Sequence, residues 1–186
     1  TISLDVVNAL GLRLVPAAPD LVHSDLFQNA WVDADAPQEA FELVYDDASQ
    51  AVYFHRPGGP ALASGQVGEP LDAGFVRFTP RPAPKEDRVY GVQIQSVEAA
   101  VGGVRGRISA VPRDYTNLID VTFISNDPVM APRILIEAAE ALRRYGALKV
   151  STTAKNEVTF IESELQQARG QLTSSLEAIQ HFKETQ

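Results

Sequence analysis

Apolar residues between positions 151 and 186 return in steps of three and four, at Val158, Ile161, Leu165, Ala168, Leu172, Leu176, Ile179 and Phe182. The stretch has no proline, and Gly170 is its only glycine. Such spacing keeps one side of a helix apolar, while Lys155, Glu157, Glu162, Glu164, Arg169, Glu177 and Lys183 fall mostly on the other sides. The pattern predicts a long, coiled-coil-like helix over 150–186. At about 1.5 Å per residue it reaches roughly 54 Å, more than the diameter of a domain of this size, so it is expected to protrude. Its stripe needs a partner, and Ile161, Leu165, Ala168, Leu172, Leu176 and Ile179 are the candidate face for a partner helix or an oligomer.

The rest of the chain reads differently. Ile2, Val6 and Leu10 step by four with Val7 beside them, a short helix that Gly11 is placed to end in a left-handed cap. Residues 24–36 show no clean period and read as irregular, apart from a helical turn that Ser24 and Asp25 could cap. The β-branched and aromatic runs 41–45 and 52–56 flank Asp46-Asp47-Ala48-Ser49, a turn composition, and predict a hairpin. Two Gly/Pro-rich stretches, 57–60 and 65–70, carry no signature. Strands are expected at 74–79 and 89–95, with the prolines at 80, 82 and 84 keeping the chain between them extended.

Ser96 is placed to cap a helix whose inner positions are Val97, Ala100, Val101 and Val104, weakened by Gly102 and Gly103. A strand follows at 107–111. Residues 118–125 form the strongest strand pattern, with Ile119, Val121 and Phe123 on one face and Leu118 and Ile124 on the other. Apolar residues on both faces predict a central strand. Asn126-Asp127-Pro128 then supplies a cap and a first-turn proline for a helix through Ile134, Leu135, Ala138, Ala141, Leu142 and Tyr145. Pro132 predicts an irregular first turn, and Gly146 is a candidate break. The fold class is α+β: a mixed β-sheet body over 1–149 with flanking helices, and a long protruding C-terminal helix over 150–186.

Composition narrows the function. The 186 residues suffice for one domain with a core, and 45% hydrophobic content is ordinary. A formal charge of −8 disfavours nucleic acid and anionic membrane surfaces, which need a basic face. Zero cysteines exclude disulfides and thiolate chemistry without choosing a compartment. No apolar run is long enough to span a bilayer, and both ends of the sequence read as cuts through helices.

Motifs for catalysis are missing. There is no GxGxxG, no P-loop and no GxSxG; Gly102-Gly103-Val104-Arg105-Gly106 resembles a glycine loop only superficially. His23, His55 and His181 stand apart, with no second ligand at metal spacing. Asp46-Asp47 reads as a hydrogen-bonding turn. Phe27 with Trp31, and Tyr45 with Tyr53, are candidate sugar-stacking pairs or, more simply, sheet packing. The basic positions Arg105, Arg107, Arg113, Arg143, Arg144 and Lys149 are either solvated element ends or contacts to a polyanion or a neighbouring subunit; Arg105, Arg107, Arg143 and Arg144 are the candidates for that contact. No catalytic, cofactor or metal residues are assigned, and a binding or assembly role is favoured over an enzyme of carbohydrate metabolism.

Three separated motifs carry a resemblance. Leu118-Ile119-Asp120-Val121-Thr122-Phe123 followed by Asn126-Asp127-Pro128-Val129-Met130-Ala131 and an apolar helix resembles the strand, Asp-Pro-x-x-Ala turn and helix of bacterial polysaccharide co-polymerases, the Wzz-type chain-length determinants. Phe160-Ile161-Glu162, Leu165, Arg169, Leu172 and Phe182-Lys183 are similar to that family's long periplasmic helix. Val6-Val7, Leu10-Gly11-Leu12 resembles the helix after its first membrane segment. The resemblance implies a membrane-anchored parent and a periplasmic body on the bacterial inner membrane. Homo-oligomers would then govern chain length or export of a surface exopolysaccharide, beside a polymerase or export machinery and with the glycan itself as a further candidate partner. A cytoplasmic tyrosine kinase, fused or separate in the exopolysaccharide branch, has no residues here. Ile136 stands where many relatives have Asn, Pro132 departs from the pattern, and residues 24–90 match no motif and are open to being a branch-specific β insertion. The alternative is a periplasmic adaptor of an efflux or secretion system, which would need a helical hairpin between lipoyl-like halves.

Overall fold

Phe41, Leu43 and Tyr45 alternate with Glu42 and Val44, and the alternation settles as a strand whose odd residues are buried and whose even ones are half-exposed. In the computed structural model, which describes residues 1–46, 48–147, 161 and 163–167, the chain divides into two units, Thr1–Ala141 and Leu142–Gln186.

The first unit runs α1 (Ile2–Ala9), β1 (Leu14–Pro16), α2 (His23–Leu26), β2 (Phe27–Val32), β3 (Ala40–Asp46), β4 (Ala51–His55), β5 (Ala61–Gln66), β6 (Leu71–Asp72), β7 (Val76–Pro80), β8 (Val89–Ile94), α3 (Val97–Arg105), β9 (Ile108–Pro112) and β10 (Ile119–Phe123). Helix α4 follows over 130–147, and its last described residues, from 142 on, belong to the second unit. The architecture is α+β, and every strand pair among the described residues is antiparallel.

Five strands in the order β1-β8-β3-β4-β5 and three in the order β2-β7-β6 share one aromatic core. Phe41 stacks on Phe54 at 4.8 Å between ring centroids; Phe54 meets Phe78 edge-on at 5.7 Å, and Phe78 meets Phe27 at 5.3 Å. These offset and edge-to-face geometries add to an area term of about 1.5–3 kcal/mol per fully buried side chain.

The helices make two smaller cores. Val6 of α1 and its C-cap Leu10 pack with Met130, Ile134 and Ala138 of α4, while neighbouring Val7 packs with Ala100 and Val104 of α3. Adjacent residues on a helix point about 100° apart, so one short helix serves both partners. Gly11 ends α1 at φ +60, and a Cβ there would lie 2.4 Å from the Ala30 carbonyl oxygen. Glycine is therefore demanded twice, by the left-handed turn and by the close approach of β2.

Several expectations are corrected. Residues 27–32, expected to be irregular, form β2: a bulge between Gln28 and Trp31, with Asn29 at φ 51, breaks the alternation that would have revealed the strand. Residues 61–66, which lie between and partly within the two Gly/Pro-rich stretches and for which no element is expected, form the edge strand β5, paired along β4. Helix α4 passes through Gly146 to residue 147 without a break. The largest correction concerns 118–125: this segment is not central but half of a two-stranded ribbon with β9. The face assignment holds, since Ile119 lies opposite Pro112, Val121 opposite Ala110 and Phe123 opposite Ile108. Burial does not follow. Phe123 and Ile108 reach the helix core, whereas Val121 is 41% and Ile119 57% exposed.

The irregular start of α4 is as expected. The Ala131 N–H donates to the Asp127 carbonyl, but Pro132 has no N–H to offer Pro128, so regular helix begins only at residue 130. No described helix is long and apolar enough to cross a membrane. Of the striped segment, Ile161 and Leu165 are helical and 63% and 51% exposed; Ala168, Leu172, Leu176 and Ile179 lie outside the described residues.

Candidate functional site

The turn between β10 and α4 is built around one carboxylate. Asp127, 5% exposed, accepts from the N–H groups of Val129 and Met130 at 3.0 and 2.9 Å, capping α4. It also accepts from the N–H and hydroxyl of Ser24 at 2.9 and 2.8 Å, which ties α2 to the start of α4 across 103 residues of sequence. Burial pushes the Asp127 carboxyl up, but the bonds from Met130, Ser24 and Val129 outweigh it and hold the group below its ordinary value. The Asp-Pro motif here does structural work of two kinds, as a helix cap and as an anchor for a distant loop.

Beside this turn is a cavity of about 390 Å³, walled by residues 15–19 and 21–23, by Ala99, Ala100, Gly103 and Val104 of α3, and by Phe123, Met130 and Ile134. Arg107, Ser125, Asn126 and His23 supply polar groups. The His23 ring packs edge-on against Phe27 at 5.3 Å, and neither ring nitrogen meets solvent or a hydrogen-bond partner among the described residues. Burial, countered in part by the Asp127 charge and by the nearby Gly11 carbonyl, pulls its pKa down to about 4, so the ring is neutral at pH 7. Nothing in the sequence around His23 signals this; its surroundings come from α2, β2 and the start of α4.

The sequence-predicted candidates scatter. Arg105 ends α3 and Arg107 lines the cavity, both in the first unit; Arg143 and Arg144 are exposed on α4 in the second. Arg113 is taken by Asp120 across the ribbon, through bonds of 3.2 and 2.9 Å. The aromatic pairs do not form platforms. Tyr45 lies opposite Val52 and is buried, while Tyr53, one residue off that register, is on the other face and 38% exposed. Phe27 and Trp31 would share a face in a regular strand, but the β2 bulge turns Phe27 inward and leaves Trp31 outside, where the Arg77 guanidinium sits 5.8 Å from its ring.

Asp46 accepts from the Ala48 N–H and the Ser49 hydroxyl, as a turn residue does; Asp47 lies outside the described residues. No group of three or more metal-ligating side chains occurs among the described residues, and His181 and Lys149 fall outside them. Arg13, which the sequence did not mark, is 2% exposed and donates to the carbonyls of Asp33, Ala34, Ala36 and Gln95. It fastens the loop after β2 to the end of β8 and is a structural cation. Neither protein-family models nor curated proteins give a match to this chain.

Proposed function

We propose that this chain is the periplasmic part of a membrane-anchored bacterial polysaccharide co-polymerase, which governs chain length or export of a surface exopolysaccharide by homo-oligomeric assembly. The observation that supports assembly most directly is the open apolar face of the β9–β10 ribbon, where Pro112, Ile119 and Val121 share one side. Exposed apolar surface of this kind marks an interaction site more often than a solvated sheet. The resemblance of the strand, Asp127-Pro128 turn and helix to Wzz-type proteins supplies the rest of the reading. On this reading the partners are copies of the same chain and the polymerase or export machinery, and the protein is not itself an enzyme.

The test is sedimentation of the chain joined at both ends to transmembrane helices, in detergent. A defined homo-oligomer is expected, and Ile119→Asp with Val121→Asp should shift it toward monomer. Monomers at every concentration would refute the assembly reading. Unaltered glycan length in cells whose chromosomal copy is deleted would refute the link to polysaccharide.

A further inference from the structure

We propose that the cavity beside the Asp127 turn binds a small organic anion, a carboxylate or phosphate carried on a compact and partly apolar body. This inference goes beyond assembly and does not depend on it.

The polar groups on the wall divide into spent and free. Asp127 is saturated by four donors, and the Gln95 amide donates to the Leu12 carbonyl at 3.0 Å. The Ser125 hydroxyl oxygen accepts from the Asp127 N–H but keeps its proton to give. The side chains of Arg107 and Asn126 make no hydrogen bond or ion pair among the described residues. What remains free is therefore mostly donors, one of them a full positive charge, and no free carboxylate competes. Acceptor oxygens with negative charge fit that set best.

Arg107 is one of several arginines, with Arg81 and Arg105, that hold no carboxylate among the described residues, and it alone of these lines the cavity. On a chain of net charge −8, Arg56, Arg77 and Arg113 each hold a carboxylate, from Glu39, Asp72 and Asp120. Arg107, itself solvent-exposed, holds none among the described residues. His23 gives a second, independent sign: its two ring nitrogens are shut off from water with no partner at full hydrogen-bond distance, although the Gly11 carbonyl lies near, and such unmet groups are costly. A ligand oxygen that accepts from the imidazole N–H after a small ring movement removes part of that cost.

The size and the remaining walls define the body. A volume near 390 Å³ lies within the range of small-molecule sites, and Val104, Phe123, Met130 and Ile134 offer apolar contact. An inorganic ion would leave that surface unused. A ring bearing one acidic group, such as a sugar acid or a sugar phosphate, uses both parts of the wall.

Titration followed by ¹⁵N NMR, including the His23 ring nitrogens, tests this with glucuronate, cyclohexanecarboxylate, glucose 1-phosphate, inorganic phosphate and neutral methyl glucoside. At least one organic acid should saturate near or below about 1 mM, with shifts centred on His23 and Asn126, and methyl glucoside should bind at least tenfold more weakly. Comparing the carboxylates with the sugar phosphate identifies the head group. Arg107→Gln should weaken the acid by tenfold or more, consistent with loss of a charge-assisted bond. Gly103→Leu should abolish binding while keeping the fold, because a Cβ at this helical cavity position meets nothing within 4 Å and leaves a better helix former in place. The proposal is overturned if no acid saturates, if inorganic phosphate binds as tightly as the best organic acid, or if either variant leaves the affinity unchanged.

Discussion

Strands β3 and β10 are nearly matched in apolar content, yet one is buried and the other stands open. Phe41, Leu43 and Tyr45 of β3 are each under 5% exposed, because β3 lies between β8 and β4 and faces Phe75 and Phe78 across the core. Ile119 and Val121 of β10 follow the same two-residue rhythm but have, among the described residues, a single neighbouring strand and no facing sheet. Alternation tells which residues share a face. It does not tell whether anything covers that face. Where the cover comes from within the chain, the result is core; where it does not, the same pattern becomes a surface available to a partner.

The contrast can be broken most directly at Phe54. Its truncation to Ala removes the ring between Phe41 and Phe78 and should cost about 3–5 kcal/mol in urea unfolding. A loss below about 1 kcal/mol would mean that the aromatic core is not what holds the sheets.

Next in size is a pH effect at the helical end of the unit. With the folded His23 at about 4 and an ordinary value of 6.5, the unfolded chain takes up the proton first as pH falls. Stability is thus full above pH 6.5 and declines toward pH 4, by up to about 3 kcal/mol. His23→Gln should flatten the unfolding midpoint across that window, and an unchanged slope would remove His23 as its cause. The Asp127 carboxyl acts in the same direction: its folded value is also depressed, so its contribution is present at neutral pH and lost only in the acid range below the His23 window.

Asp127→Ala should cost about 1–2 kcal/mol at pH 7, because it orphans two helix N–H groups and the Ser24 donors together. Asp127→Asn, which retains a capping oxygen, should cost less. Equal losses would assign the effect to charge and not to capping. The smallest effect belongs to the ribbon: Val121→Thr in dilute solution should stay within about 0.5 kcal/mol. A cost that grows with protein concentration would show that another copy covers this face.

Much of this was legible in the residues themselves. Helix α1 ends where Gly11 requires it to, α3 starts where the Ser96 hydroxyl accepts from the Ala99 N–H at 3.1 Å, and the 40–55 hairpin follows from its β-rich runs and acidic turn. Proline chemistry gave the delayed start of α4. These are local matters, governed by backbone sterics and by hydrogen bonds between near neighbours.

Other features are settled by residues far apart in the chain. The β2 bulge conceals a strand because one extra residue reverses the faces of Phe27 and Trp31, and no window of sequence shows which partner strand absorbs it. Arg13 reads as a surface cation until the carbonyls of Asp33, Ala34, Ala36 and Gln95 converge on it. His23 and Arg107, 84 positions apart, become walls of one cavity only when α2, α3 and the Asp127 turn are assembled. Sequence alone therefore determined most of the elements, their caps and the faces of the regular strands. Tertiary structure decided which apolar faces are covered and which polar groups go unpaired, because burial and hydrogen-bond satisfaction depend on what packs across a surface.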